Sequence, residues 1–496
     1  MQRSGTTRRY RRGIAAVLTA VMVAASCGGS DATSSADGGE VTCPVEALEQ
    51  ADGPVEITVW HSYVALAKRT LESLADQYNS SQDQVKVTVE SQGVGPQELH
   101  RKIEQAAPDR SLPALVVPDD TKTRWIADSG LFLPAEACFE ADPAAEKIRE
   151  DFLPIVPASY TIDDQLWPAA FTTYTALIYL NREHFQAAGL DPDDPPETID
   201  EMITAARAIK AANVPGVDRP MVFKAQAFLL EWWLSGAGQE LVNEDNGRSG
   251  TWATESKFDN PVTRNILTTL QEAKTEGLLD VTPGAEANAD HLLAMAGRQS
   301  SFVVDSSAAA STVAGVIEGT VAAEDLKADL GVELPPGLQL DLDIGVGPYP
   351  GVEEAGRGQV GGQVWYMTNT VPDEQQAAAW DFMKFLNSID SQVQWGVDGS
   401  TAPVSKAAAE DPRLQEAWTS SLGGRWQKVA YEVLAGINTD FPGPVIGPYD
   451  QVRQAIKKCM DQVLLDDEPV DEAVKEAAAT ITAALESYNE DVEASG

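Results

Sequence analysis

Val55-Glu56-Ile57-Thr58-Val59-Trp60 reads as a strand with an apolar face, and the residues after it decide the fold class. Leu71, Leu74 and Tyr78 fall on one face of a helix, and Val85, Val87 and Val89 then alternate again, so the unit is strand, helix, strand. A helix through Leu99 and Ile103 and the apolar strand Ala114-Leu115-Val116-Val117 continue the series. Such alternation predicts an α/β sheet and argues against a sandwich or a helical bundle.

A second series starts near Leu166, where Leu166 to Tyr174 leads into the strand Ala176-Leu177-Ile178-Tyr179-Leu180. The helix that follows, from Arg182 to Ala188, should stop at Gly189. Thr198 is placed to cap a helix through Met202, Ile203 and Ile209. Ser301-Phe302-Val303-Val304 and Gln363-Val364-Trp365-Tyr366-Met367 are further strands, and a last helix carries Val474, Ala477, Ile481, Leu485 and Tyr488 under an acidic exterior. No period of about 20 to 50 residues recurs, which disfavours a solenoid or propeller.

Ahead of this body, Arg8, Arg9, Arg11 and Arg12 precede an apolar run from Ile14 to Ala25 that is too short to span a bilayer comfortably. Residues 1–26 are therefore expected to be an export signal, by the general secretory route or, given the arginine pairs, a twin-arginine one. Val23-Ala24-Ala25-Ser26-Cys27 resembles a bacterial lipobox, which makes Cys27 the expected lipidation point. Residues 27–44 begin with a Gly, Ser and Asp-rich stretch that has too little apolar surface to fold, as a tether would. The expectation is an exported protein on the outer face of the membrane or in the periplasm, reaching the membrane through its N-terminal lipid alone.

After residue 26 the chain carries 31 basic against 76 acidic residues, a surface that repels nucleic acid and anionic lipid. Catalytic patterns are missing: there is no P-loop, no Gly-x-Ser-x-Gly, no Cys-x-x-Cys and no His-Glu-x-x-His. His61, His100, His184 and His291 are far apart in sequence, and Asp341-Leu342-Asp343-Ile344-Gly345 lacks the later ligands of a calcium loop. Neither an enzyme nor a metal or other cofactor is expected.

Trp60-His61-Ser62-Tyr63, Tyr78-Asn79-Ser80-Ser81 and the segment Asn181 to Pro192, with Gly189-Leu190-Asp191-Pro192 at its end, resemble the family 1 extracellular solute-binding proteins of bacterial ABC importers. The resemblance continues in order through Thr198, Asp305-Ser306-Ser307, Gly361-Gly362, Trp380 to Leu386 and Ser400-Thr401-Ala402-Pro403-Val404. It implies an α/β periplasmic-binding-protein type II fold, two lobes joined by three crossovers, here expected at Ala169 to Thr172, Arg298 to Ser301 and Val360 to Gln363. Lobe 1 would then be 45–170 plus 300–360, and lobe 2 would be 171–299 plus 361–496. The implied partners are a small solute held between the lobes and a membrane permease that recognises the closed state of a monomer.

The likeness extends to glycerol-3-phosphate binders, whose cleft residues fall on Asp120, Thr173-Tyr174-Thr175, Ser306-Ser307 and Gly362. Two positions depart: a tyrosine of that group falls on Gly95 and its phosphate-pairing arginine on Val445. Without that guanidinium a neutral sugar or sugar alcohol is expected; glycerol 3-phosphate or a glycerophosphodiester such as glycerophosphocholine is the alternative, with Lys224 as a replacement charge. The expected contacts are Asp119, Asp120, Ser306 and Ser307 from one lobe, and Thr173, Tyr174, Phe228, Trp232, Gly362 and Gln363 from the other. His61, Ser62 and Tyr63 form the loop expected to face the cleft, and Trp365 follows the third crossover. Phe228 and Trp232 share a helix face and could instead be core, as could Trp365. An exported lipoprotein hydrolase using a carboxylate such as Asp120, or an adhesion lipoprotein, are the competing classes.

Three cysteines remain after Cys27, enough for one disulfide. Their number does not choose the pair; Cys43 with Cys138 is preferred because both fall in the first lobe, whereas a bond to Cys459 would tie the lobes together.

Overall fold

Thirteen strands form among the residues described by the computed structural model, which are 41–496 apart from 285–288, 323–326, 328–340, 357, 400 and 496. The export segment 1–26, Cys27 and the tether up to residue 40 lie outside the described residues. In chain order the strands are β1 (Val55–His61), β2 (Val85–Ser91), β3 (Leu115–Val116), β4 (Phe132–Leu133), β5 (Thr161–Ile162), β6 (Gln165–Leu166), β7 (Ala170–Tyr174), β8 (Ala176–Asn181), β9 (Met221–Lys224), β10 (Leu279–Thr282), β11 (Phe302–Ser306), β12 (Ile344–Pro348) and β13 (Gly361–Thr368).

The first lobe is built on β2-β1-β3-β13-β4, with β7 paired to β13. β1 runs parallel to β2, from Val55 opposite Val85 to His61 opposite Ser91, and the helix Ala65–Ser81 between them buries Leu71, Leu74 and Tyr78. Val55, Ile57 and Val59 are buried on the inner face of β1, as a period of two requires. The second lobe is built on β10-β9-β11-β8-β12, in which β8 is antiparallel to both β11 and β12. Separate apolar clusters cover this sheet. One contains Phe185, Ile203, Trp233 and the two C-terminal helices, Tyr449–Leu464 and Val470–Ser495; the other contains Tyr179, Val303 and Trp426. Thr198 caps its helix by accepting from the Glu201 N–H, and Gly189 takes the left-handed φ of 77° that ends the helix before it.

The lobe boundaries read from sequence need correction. β11 and β12, expected in lobe 1 with 300–360, belong to the second sheet, and β13, expected in lobe 2 after 361, belongs to the first. The first passage between lobes is the short link between β7 and β8; Arg298 to Ser301 is no crossover, because it feeds β11 inside the second sheet. The return passage is the segment from β12 to β13. A last passage begins with the helix Leu422–Ala435, which lays Trp426, Ala430 and Val433 on the second sheet while Leu434 packs in the first core. The physical reason is that an apolar strand joins whichever sheet has a free edge, and edges are a long-range property that strand periodicity does not carry.

Cys43 and Cys138 form a disulfide, and Cys43 is buried. The folded body therefore begins before the expected tether end at residue 44. Cys459 is buried and free, and burial pushes its thiol up to about 12, which leaves it unreactive. Among the described residues no helix is long and apolar enough to cross a membrane.

Candidate functional site

β7 and β13 come together where the chain passes between lobes, pairing Tyr174 with Gly361, Thr173 with Gly362 and Thr172 with Gln363. Glycine is needed there for closeness: a Cβ on Gly362 would stand 2.5 Å from the Thr172 carbonyl oxygen, and one on Gly361 would stand 2.6 Å from the Tyr174 ring. These paired strands form the floor of a cleft of about 470 Å³. One wall is the start of the helix Ala65–Ser81 with Val94 to Pro96; the other is the helices Asp290–Ala296 and Ala310–Glu318. Ala65, at the start of its wall, holds a left-handed φ of 48°, a strained conformation for a residue with a Cβ.

Of the residues singled out from sequence, Ser62, Tyr63, Asp119, Tyr174 and Gln363 line this cleft. Gln363 donates to the Ser62 hydroxyl at 2.6 Å, and the Tyr63 hydroxyl shares a 2.5 Å hydrogen bond with Thr172. His61 and Trp365 lie beneath the lining: the His61 Nδ1 accepts from the Tyr63 N–H, and the Trp365 indole donates to the Tyr63 hydroxyl. Gly362 acts through backbone proximity, and the Thr173 hydroxyl donates to the Ala402 carbonyl. Ser306 caps Ala308, and Ser307 accepts from the Thr175 N–H, so both fix the strand end beside the cleft. Phe228 and Trp232 pack together against the second core, the alternative their spacing had left open.

Asp120 points to the far side of the floor, into a cavity of about 20 Å³ that it shares with Tyr160, Arg248, Tyr449 and Arg453. Burial, and then the neighbouring Asp119 carboxylate, pushes its carboxyl well above the usual range. Asp119 accepts from the Tyr174 hydroxyl at 3.2 Å and from the Thr121 N–H, and lies 3.5 Å from the Arg453 guanidinium. Arg453 in turn makes hydrogen bonds of 3.0 and 3.1 Å to Glu231, whose side chain is fully buried. Burial opposes the charge on Arg453, but the Glu231 and Asp119 carboxylates hold it charged.

Arg453 and Glu231 were not singled out from sequence. The expected arginine position, Val445, is a buried apolar residue, and the guanidinium near Asp119 comes eight positions later, on a different turn of chain. Asp305 was also missed: it reaches the cleft from the end of β11 and accepts from His291 Nε2 at 2.7 Å. Burial would raise its carboxyl, yet the His291 hydrogen bond prevails and holds it below the usual range. Lys224 is buried on β9 and its charge acts in the same direction. A signal for the second wall did exist, since Ala308 to Ile317 carries no charged residue on any helical face and such a helix buries more than one side.

The His61 hydrogen bond gives a pH prediction. Burial first, then the Lys68 charge, lowers its imidazole from 6.5 to about 4, consistent with an unprotonated Nδ1 accepting from Tyr63. Between those values the unfolded chain binds more protons than the folded one, so this contribution is complete above pH 6.5 and is lost as pH falls towards 4, by at most about 3 kcal/mol. Urea unfolding of wild type and His61→Gln at pH 7 and pH 4.5 should show a smaller acid loss in the variant; equal losses contradict the assignment.

The sequence profile of a family described as bacterial extracellular solute-binding protein matches residues 73–420. An sn-glycerol-3-phosphate-binding periplasmic protein, UgpB, of Yersinia pestis bv. Antiqua (strain Antiqua) is 27% identical over 225 residues, 45% of this chain, and the chain spans about half the length of that relative. A UgpB from Salmonella paratyphi A is 23% identical over 378 residues, covering 75% of this chain and 80% of the relative. Two solved structures share the fold. The cyclic alpha-maltosyl-1,6-maltose binding protein of Arthrobacter globiformis has a TM-score of 0.66 at 20% identity over 87% of this chain and 99% of that one. UgpB of Mycobacterium tuberculosis in complex with glycerophosphocholine has a TM-score of 0.64 at 17% identity over 88% and 100%.

Proposed function

We propose, for a chain that belongs to the bacterial extracellular solute-binding proteins, that it captures a hydroxylated solute of carbohydrate or polyol type and delivers it to the permease of an ABC importer. The observation that carries the reading is the cleft itself: about 470 Å³, walled by both lobes and floored by the strands that connect them. A solute touching both walls binds the closed arrangement more strongly than the open one, and only that difference can shift the equilibrium. Asp119, Tyr174, Ser62 and Gln363 are the groups that would receive hydroxyls, with the Asp119 carboxylate on the floor as the strongest acceptor among them. The protein acts as a monomeric receptor without catalysis, attached through a lipid on Cys27.

Glycerol 3-phosphate or a glycerophosphodiester is the second reading, favoured by the relatives named for such solutes. Against it, Arg453 is already engaged by Glu231 and Asp119.

A thermal-shift screen against sugars, polyols, glycerol 3-phosphate and glycerophosphodiesters separates the readings, because a solute at a hundred times its Kd stabilises the folded state by about 2.7 kcal/mol. A neutral hydroxylated solute should raise the midpoint, and Asp119→Asn should weaken its binding by about ten- to hundredfold, the loss of one charged hydrogen-bond acceptor. A shift confined to phosphate-bearing ligands would replace the first reading with the second.

A further inference from the structure

The walls of the cleft differ in kind from its floor. Val313, Val316 and Ile317 on the helix Ala310–Glu318 and Leu292 on the helix before it are only half buried, and they face Leu66 and Val94 from the first lobe. Val94 is 77% exposed, one of few large apolar side chains left so open among the described residues. The tyrosines of the lining offer these walls little polarity: Tyr63 is bonded to Thr172, Tyr179 donates to the Ser306 carbonyl, and Tyr174 donates to Asp119. A solute made of hydroxyls alone would leave those that face the walls against aliphatic carbon, without partners. An aliphatic body would gain from the same surface.

Charge narrows the choice further. Among the described residues that line the cleft there is no Lys, Arg or His; of its two carboxylates, Asp305 is held by His291 and lies in the field of Lys224, which leaves Asp119 as the deciding one. Behind the floor, Arg453 faces Asp119 and Glu231 together, so the guanidinium leaves an excess of negative charge next to the solute. An anionic group placed beside Asp119 would meet a carboxylate, with no cationic side chain among the described lining residues to answer it.

We infer that the solute is an amphiphile: a compact head that donates hydrogen bonds and bears no negative charge lies at the Asp119 end, and an aliphatic body lies between the apolar walls. This rests on the receptor reading and replaces its carbohydrate or polyol class with an amphiphile. Both a hydroxylated and an ammonium head satisfy the chemistry, and matched alkyl compounds distinguish them from an anion.

The test uses the full chain and the uncharged fluorescent probe N-phenyl-1-naphthylamine, displaced by octane-1,2-diol, octylammonium, octanoate or glycerol. The diol and the ammonium should each displace the probe at concentrations at least about tenfold lower than octanoate, and glycerol should displace none. Val94→Asp, at a position too exposed to affect folding, and Ile317→Asp should each weaken probe binding about tenfold or more while keeping a cooperative unfolding transition. Octanoate displacing as well as the diol, glycerol displacing as well as the diol, or no binding of the probe would each overturn the inference. If free sugars or polyols stabilise the protein and an alkyl chain adds nothing, only the inference fails; if no compound of either panel binds, the receptor reading fails with it.

Discussion

Arg453→Met should cost about 3–5 kcal/mol of folding stability, although the residue lies some distance along the chain from every sheet strand. Glu231 sits on the helix Ala227–Gly236 in the second core with no exposed side-chain surface, and Arg453 supplies the charge that balances it. The Tyr449 hydroxyl at 3.3 Å is the remaining partner and cannot replace a guanidinium. Removing Arg453 leaves a buried carboxylate uncompensated, which is far more costly than losing the pair as a whole. One consequence makes the assignment specific. Arg453→Met combined with Glu231→Gln should recover most of the loss, because the buried group left behind is then neutral. Urea unfolding of the four species gives the coupling directly; a loss below about 1 kcal/mol in the single variant would show that the pair is not what holds this region.

Opening the Cys43–Cys138 bond is the second large effect expected. The bond closes a loop of 95 residues in sequence, and a cross-link of that length restricts the unfolded chain enough to be worth about 2–5 kcal/mol. Both sulfurs are buried, so the variant that tests this is Cys43→Ala with Cys138→Ala, which avoids placing hydroxyls in the core. Denaturant unfolding should show that loss without a change in solute affinity, because neither cysteine lines the cleft. A weakened affinity with unchanged stability would reverse the assignment and give the disulfide a role in closure.

The sequence made the α/β alternation legible because Val55 to Val89 and Ala176 to Ile209 carry clean periods of two and of 3.6. It did not reveal which sheet β11, β12 and β13 would join. Phe302-Val303-Val304 is equally apolar in either sheet, and only the free edges of β8 and β9 decide its place. The cleft was legible where strand ends and crossing strands set it, at Ser62, Tyr63, Asp119, Tyr174 and Gln363. Phe228 and Trp232 were ambiguous in the sequence, since aromatic spacing on a helix looks the same whether the face meets a solute or a core. Arg453 was hidden for another reason: its partners, Glu231 and Asp119, are hundreds of positions away, and a residue-by-residue carry-over placed the guanidinium at Val445 instead.

Small-angle scattering of the protein with and without a solute found by the stability screen tests the central claim most directly. A receptor that closes two lobes over a cleft should show a smaller radius of gyration when saturated, and Asp119→Asn at the same solute concentration should retain the larger one. An unchanged radius at saturation, with binding demonstrated in the same sample, would contradict capture by lobe closure.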